Sequence, residues 1–147
     1  MPNLCFNWLT VSGPAEEVVR FQQQAVGFWP WGPPESGEAP NVLNFHSLVP
    51  IPPEVLAAGY KAAGQTWEFE HWSCHVGARH AAVVDQWEGG LVYQFLTDWT
   101  PAVRFVEEVS RAWVALVFVL SYQEPRAAFE GLASAHAGTL EDHCVEL

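Results

Sequence analysis

The stretch 81-AAVVDQWEGGLVYQFLTDWTPAVRFVEEVSRAWVALVFVLSY-122 reads as strand, tight turn, strand, helix and a last apolar strand. Ala81–Trp87 and Leu91–Thr97 flank Glu88-Gly89-Gly90, a short glycine-bearing loop of the kind that closes a hairpin. Thr100 is placed to cap the next helix, with Pro101 at its first position, where a missing amide hydrogen costs nothing. Val103, Val106, Val109 and Trp113, with Ala102 and Phe105 beside them, recur every three to four residues and predict one core-facing stripe. Glu107, Glu108 and Arg111 then lie towards solvent. Leu116–Tyr122 is the most hydrophobic run and predicts a strand buried on both faces.

Upstream, Asn3–Val11 predicts a first strand rich in β-branched and aromatic residues. Ser12-Gly13-Pro14 turns it into a helix whose first turn carries Glu16 and Glu17, matched to the positive end of the helix dipole. Val18, Phe21 and Ala25 share one side of that helix, which ends near Gly27. Residues 28–40 hold four prolines and two glycines in thirteen positions and predict a loop. Its Trp29 and Trp31 either stand exposed as contact residues or fold back as a lid on the core. Asn41–Val49 predicts a second strand, Glu54–Gly64 a short helix, and Trp67–Trp72 (WEFEHW) a strand with Glu68 and Glu70 on its wet face. Residues 71–80 form a His- and Cys-containing loop. Downstream, Ala127–Ala135 predicts a short helix and Thr139–Leu147 a final edge strand. The order β-α-β…β-β-α-β is that of one α+β domain spanning residues 1–147.

Half of the residues are hydrophobic, with eight Trp and nine Phe, which excludes a disordered chain. No apolar run approaches the roughly 20 residues of a membrane helix, and the N-terminus carries no signal-peptide pattern. Three cysteines at irregular spacing point away from a disulfide framework and towards a reducing cytoplasm. Seventeen acidic residues face six basic ones, of which Lys61 is the single lysine, for a net charge of -11. That balance disfavours direct nucleic-acid binding and anionic membranes, because the counterion release that drives such binding needs cations the chain lacks. It serves solubility, and it favours a basic protein as partner.

Four stretches, MPNLCFNWLTVSGPAEEVVRF, LNFHSLVPIP, TDWTPAVRFVEEVS and LSYQEPRAAFEG, together resemble the YubB-type, Api-like family of plasmid and phage proteins. The resemblance implies a ferredoxin-like fold: a mostly antiparallel sheet with two main helices packed on one face. It also implies carriage on a mobile element, and no assigned biochemical activity. Members carry Asn-Trp-Gly-Thr-Lys-Trp where this chain has His71-Trp72-Ser73-Cys74-His75-Val76, so of that run only Trp72 is shared.

Two constellations have chemistry to weigh. His71, Cys74, His75 and His80 are metal-ligand types at tolerable spacing, with His143 and Cys144 as donors from elsewhere, but one loop seldom supplies a whole tetrahedron. Glu68 and Glu70 would stand roughly 7 Å apart on one strand face, a spacing open to acid/base work and commonplace without it. No cofactor is expected. The leading expectation is a non-enzymatic, cytoplasmic mobile-element protein that binds a host protein with a basic surface, itself a defence or regulatory nucleic-acid-binding protein. Glu68, Glu70, Asp85, Glu88, Glu107 and Glu108 are the candidate carboxylates, with Trp29, Trp31 and Trp72 as aromatic anchors. The alternatives are a small metal-binding protein or enzyme using the 71–80 loop, and a structural homo-oligomer.

Overall fold

The computed structural model describes residues 3–32 and 37–147. Six antiparallel strands, β1 (Leu4–Ser12), β2 (Arg79–Trp87), β3 (Gly90–Asp98), β4 (Val117–Glu124), β5 (Phe129–His136) and β6 (Thr139–Glu146), form one sheet in the order β2-β3-β1-β4-β5-β6. With helices α1 (Ala15–Gln24) and α5 (Val103–Ala112), the first four strands make the ferredoxin-like unit; the β5–β6 hairpin extends it. Between α1 and β2 lie α2 (Phe45–Leu48), α3 (Pro53–Ala58), a π-helical turn at Tyr60–Gly64 and α4 (Gln65–Trp72).

Strict alternation in β1 places Cys5, Asn7, Leu9 and Val11 in the core and Leu4, Phe6, Trp8 and Thr10 on the opposite face. α1 delivers Phe21 edge-on to Tyr93, Trp113 and Phe118. α5 delivers Phe105, which stacks on Phe45 with ring centroids 3.7 Å apart.

Three predicted elements differ. Residues 41–49 are not a strand: Asn41 makes an isolated bridge with Gly27, and Phe45 and Leu48 are buried at helical spacing in α2. WEFEHW is a helix, because its buried positions are Gly64, Glu68 and Trp72, four residues apart. A glutamate on the buried side hid that period. The alanine-rich stretch after Pro125 is strand β5, not a helix. Its small core-side residues Gly131, Ala133 and Ala135 let α5 lie close, where Ser110 Oγ accepts the Gly138 amide at 2.9 Å.

The start of α5 also differs by two residues. Thr100 does not cap it; its hydroxyl donates to the Ser73 carbonyl, and Ser73 Oγ accepts the Arg104 amide at 3.0 Å. The helix is therefore capped from the end of α4, a contact between residues far apart in sequence.

A candidate protein-binding face

The helices lie on one side of the sheet, and among the described residues no element covers the other. That open face is mixed: Thr10, Gln94, Ser121, Gln123, Glu130, Glu141 and His143 share it with large apolar side chains that an exposed sheet face usually lacks. Phe6 and Trp8 of β1 stack with ring centroids 6.5 Å apart. Leu96 and Gln94 of β3 pair with Phe6 and Trp8 on one side, and Gln123 and Ser121 of β4 on the other. Val92, Val119, Leu132 of β5 and Val145 of β6 lie further along the same face. Leu132 and Val145 are 51% and 55% exposed. A shallow groove of about 320 Å³ runs across Trp8, Ser121, Gln123, Leu132, His143 and Val145. Glu130 lines it and Glu141 lies on the same face of β6, two residues from His143; neither enters an ion pair among the described residues. At the far end of the sheet Trp87 lies over Gly90, 47% exposed, with Asp85 beside it.

Apart from Asp85 and His143, these residues were not singled out from the sequence, yet a signal was there. Asn3–Val11 is apolar at odd and even positions alike, so whichever face packs, the other stays greasy.

The predicted contact residues scatter. Asp85 and Glu88 are exposed at the β2–β3 hairpin, and Glu70 is exposed on α4. Glu107 and Glu108 lie on the helical side, largely covered and ion-paired: Arg104 reaches Glu107 at 2.7 Å, and Arg111 reaches Glu108 at 3.4 Å. Glu68 and Trp72 are corrected outright, since both are 0% exposed and neither can touch a partner. The Trp72 indole donates to the Val49 carbonyl at 3.2 Å inside the core. Glu68 Oε2 accepts the Trp29 indole N–H at 2.7 Å and Oε1 the Val76 amide at 2.9 Å. Burial raises the Glu68 pKa, and these hydrogen bonds partly offset the rise. The Glu68/Glu70 pair on one strand face does not exist: one carboxylate is buried and the other exposed on a helix.

Trp29 and Trp31 take the lid alternative. They pack edge to face with each other and with Tyr60, at centroid distances of 5.2 to 5.9 Å, against the core. Of the 28–40 loop, residues 33–36 lie outside the described residues.

The His/Cys loop spreads its side chains. His71 stacks on Trp67 at 4.4 Å, Cys74 is buried with its thiol pKa raised by desolvation, and His80 is exposed at the start of β2. His143 and Cys144 stand on β6, on opposite faces of the strand. Among the described residues no three His, Cys, Asp or Glu side chains are grouped to hold a metal ion. Among the described residues an open cavity of about 900 Å³ lies between Phe28, Pro40, Asn41 and Ala81, with Glu38 and His80 as its titratable lining.

A family model described as the ferredoxin-like domain in Api92-like protein matches residues 70–146. The chain belongs to the Api92-like family. The matched span of that family's domain runs from the end of α4 through β6 and omits β1, the strand on which β3 and β4 both pair. The crystal structure of api92 from Yersinia pseudotuberculosis is similar over the whole fold, with a TM-score of 0.76 at 9% identity, covering 100% of this chain and 98% of that one. At that identity the likeness concerns the fold alone. No curated protein matches the chain significantly. Among the described residues no helix is long and apolar enough to cross a membrane.

Proposed function

We propose that this Api92-like chain is a non-enzymatic protein-binding module that engages a basic, nucleic-acid-binding protein through its open sheet face. The observation that carries the reading is the uncovered Phe6–Trp8 stack, which shares its face with Val119, Leu132, Val145, Glu130 and Glu141. Aromatic groups in a partly desolvated patch supply most of the energy of a protein interface, and rim charges select the partner and speed the encounter. A net charge of -11 directs that selection towards a cationic surface.

In its sharper form the module is a mobile-element inhibitor that occludes the nucleic-acid groove of a host defence or regulatory protein in the cytoplasm. The resemblance to plasmid and phage proteins supports the mobile-element part. The free thiols of Cys5, Cys74 and Cys144 suit a reducing compartment. The experiment is an affinity capture from lysate of the native cell, washed at low and high salt. A specific basic nucleic-acid-binding protein that is retained at low salt and shed at high salt is the expected result. Capture of only neutral or acidic proteins, with no salt dependence, contradicts the reading.

A further inference from the structure

The sheet has two edges, and they are built differently. The β2 edge is irregular: its register with β3 shifts between Arg79 and Ala82 and again between Val83 and Asp85. Its side chains are also engaged, Arg79 with Asp98 at 2.9 Å and Gln86 with Gln22 at 2.9 Å. Bulges of this kind stop an edge from pairing with a further strand. The β6 edge has none of them. Its pairing with β5 runs unbroken from His136–Thr139 to Phe129–Glu146, and the strand holds no proline, lysine or arginine.

The β5–β6 turn fixes which groups face outward. Ala137 (φ 50°) and Gly138 (φ 87°) form a two-residue loop with both central residues left-handed, so His136 and Thr139 are a mutually hydrogen-bonded pair. Alternation then turns the amides of Glu141, His143 and Val145 towards β5. Those of Leu140, Asp142, Cys144 and Glu146 point away from the sheet. Carboxylates line this edge on both faces: Glu141 on the open face, Asp142 and Glu146 on the helical one.

We infer that β6 is a docking edge, to which an extended lysine- or arginine-bearing segment of the partner protein adds as a further strand. The inference rests on the basic-partner reading and deepens it. Charge complementarity names the occupant. A second copy of this chain would bring another Glu141, Asp142 and Glu146 onto the same two faces, and like charges brought close across a strand pair destabilise it. A basic strand meets opposite charge on both faces, while its backbone completes the unused ladder. The edge is continuous with the open face through Val145 and His143, so one partner occupies both.

The test uses the full chain, isotope-labelled, and a short acetylated peptide of alternating lysine and valine. A control peptide of the same sequence is N-methylated at every residue, which keeps the charge and removes the strand's donors. The parent peptide slows hydrogen exchange at the amides of Leu140, Asp142, Cys144 and Glu146, and binds at least about tenfold more tightly than the control. In the protein, Cys144→Pro reproduces that loss while Cys144→Ser does not, since proline removes only an outward amide. Equal affinity of the two peptides, or unchanged exchange at those amides under saturating peptide, overturns the docking edge. A captured partner held equally by wild type and Cys144→Pro also overturns it, and leaves the basic-partner reading standing.

Discussion

The indole of Trp29 and the carboxylate of Glu68 meet at 2.7 Å, joining the proline-rich loop to a helix 39 residues further along the chain. The second oxygen of Glu68 holds the Val76 amide, so one buried side chain anchors two loops. Glu68→Ala leaves both donors unpaired and is expected to destabilise the fold by about 3 kcal/mol. Urea unfolding followed by tryptophan fluorescence measures it.

The same carboxylate makes stability pH-dependent. Burial raises its folded-state pKa above the ordinary value of 4.5, so the folded chain holds this proton more tightly than the unfolded chain. That contribution is full below the ordinary value and is lost as pH rises through the raised one. His46 acts with the opposite sign: burial lowers its pKa from 6.5, and its neutral Nδ1 accepts the Ile51 amide at 3.0 Å. Its contribution is present above 6.5 and is lost as pH falls. Glu68→Gln is expected to remove the fall in stability just above pH 4.5 and to leave the His46 limb intact, as read by urea midpoints across a pH series.

Phe45 and Phe105 stack nearly parallel, with 5° between ring planes, and tie the inserted helical segment to α5. Phe105→Ala opens a cavity between them and is expected to cost about 4 kcal/mol in the same assay. Phe105→Leu is expected to cost less than half of that.

At Gly131 an added Cβ would lie 2.7 Å from the His143 carbonyl oxygen and closer still to the Tyr122 hydroxyl. That hydroxyl donates to Asp142 at 2.7 Å, pinning β4 to β6 across β5. Gly131→Ala is expected to cost about 2 kcal/mol by overpacking. It is also expected to raise amide exchange along β6 more than along β1.

The hairpin and α5 were legible because their periods are clean and the hairpin turn carries glycine. β4 was legible as an apolar strand, but it is buried on one face only, with Val117 and Ser121 exposed on the other. β-branched and aromatic content predicted β1, and the closing stretch from Thr139 was read as the edge strand that β6 is. What failed were segments whose buried set contains an unexpected residue. Glu68 inside α4 broke the helical pattern, and the alanines of β5 imitated a helix because small residues at a helix–sheet contact are also good helix formers. The site was less legible than the fold. Acidity pointed to a basic partner, but composition cannot place a carboxylate on a face. Glu68 proved buried, Glu107 and Glu108 proved paired with arginines, and the open face depends on strand pairings from both ends of the chain.

The central claim is that the open sheet face binds a basic protein, and a binding isotherm on face variants tests it most directly. Wild type, the face variant Trp8→Ala/Leu132→Ala and the helical-side control Glu107→Gln/Glu108→Gln are titrated against the captured partner at fixed salt. The face variant is expected to lose about 3 kcal/mol of affinity, on the order of a hundredfold, with its fold intact by circular dichroism. The control is expected to bind as wild type does. Loss of binding in the helical-side control, with the face variant unaffected, contradicts the account.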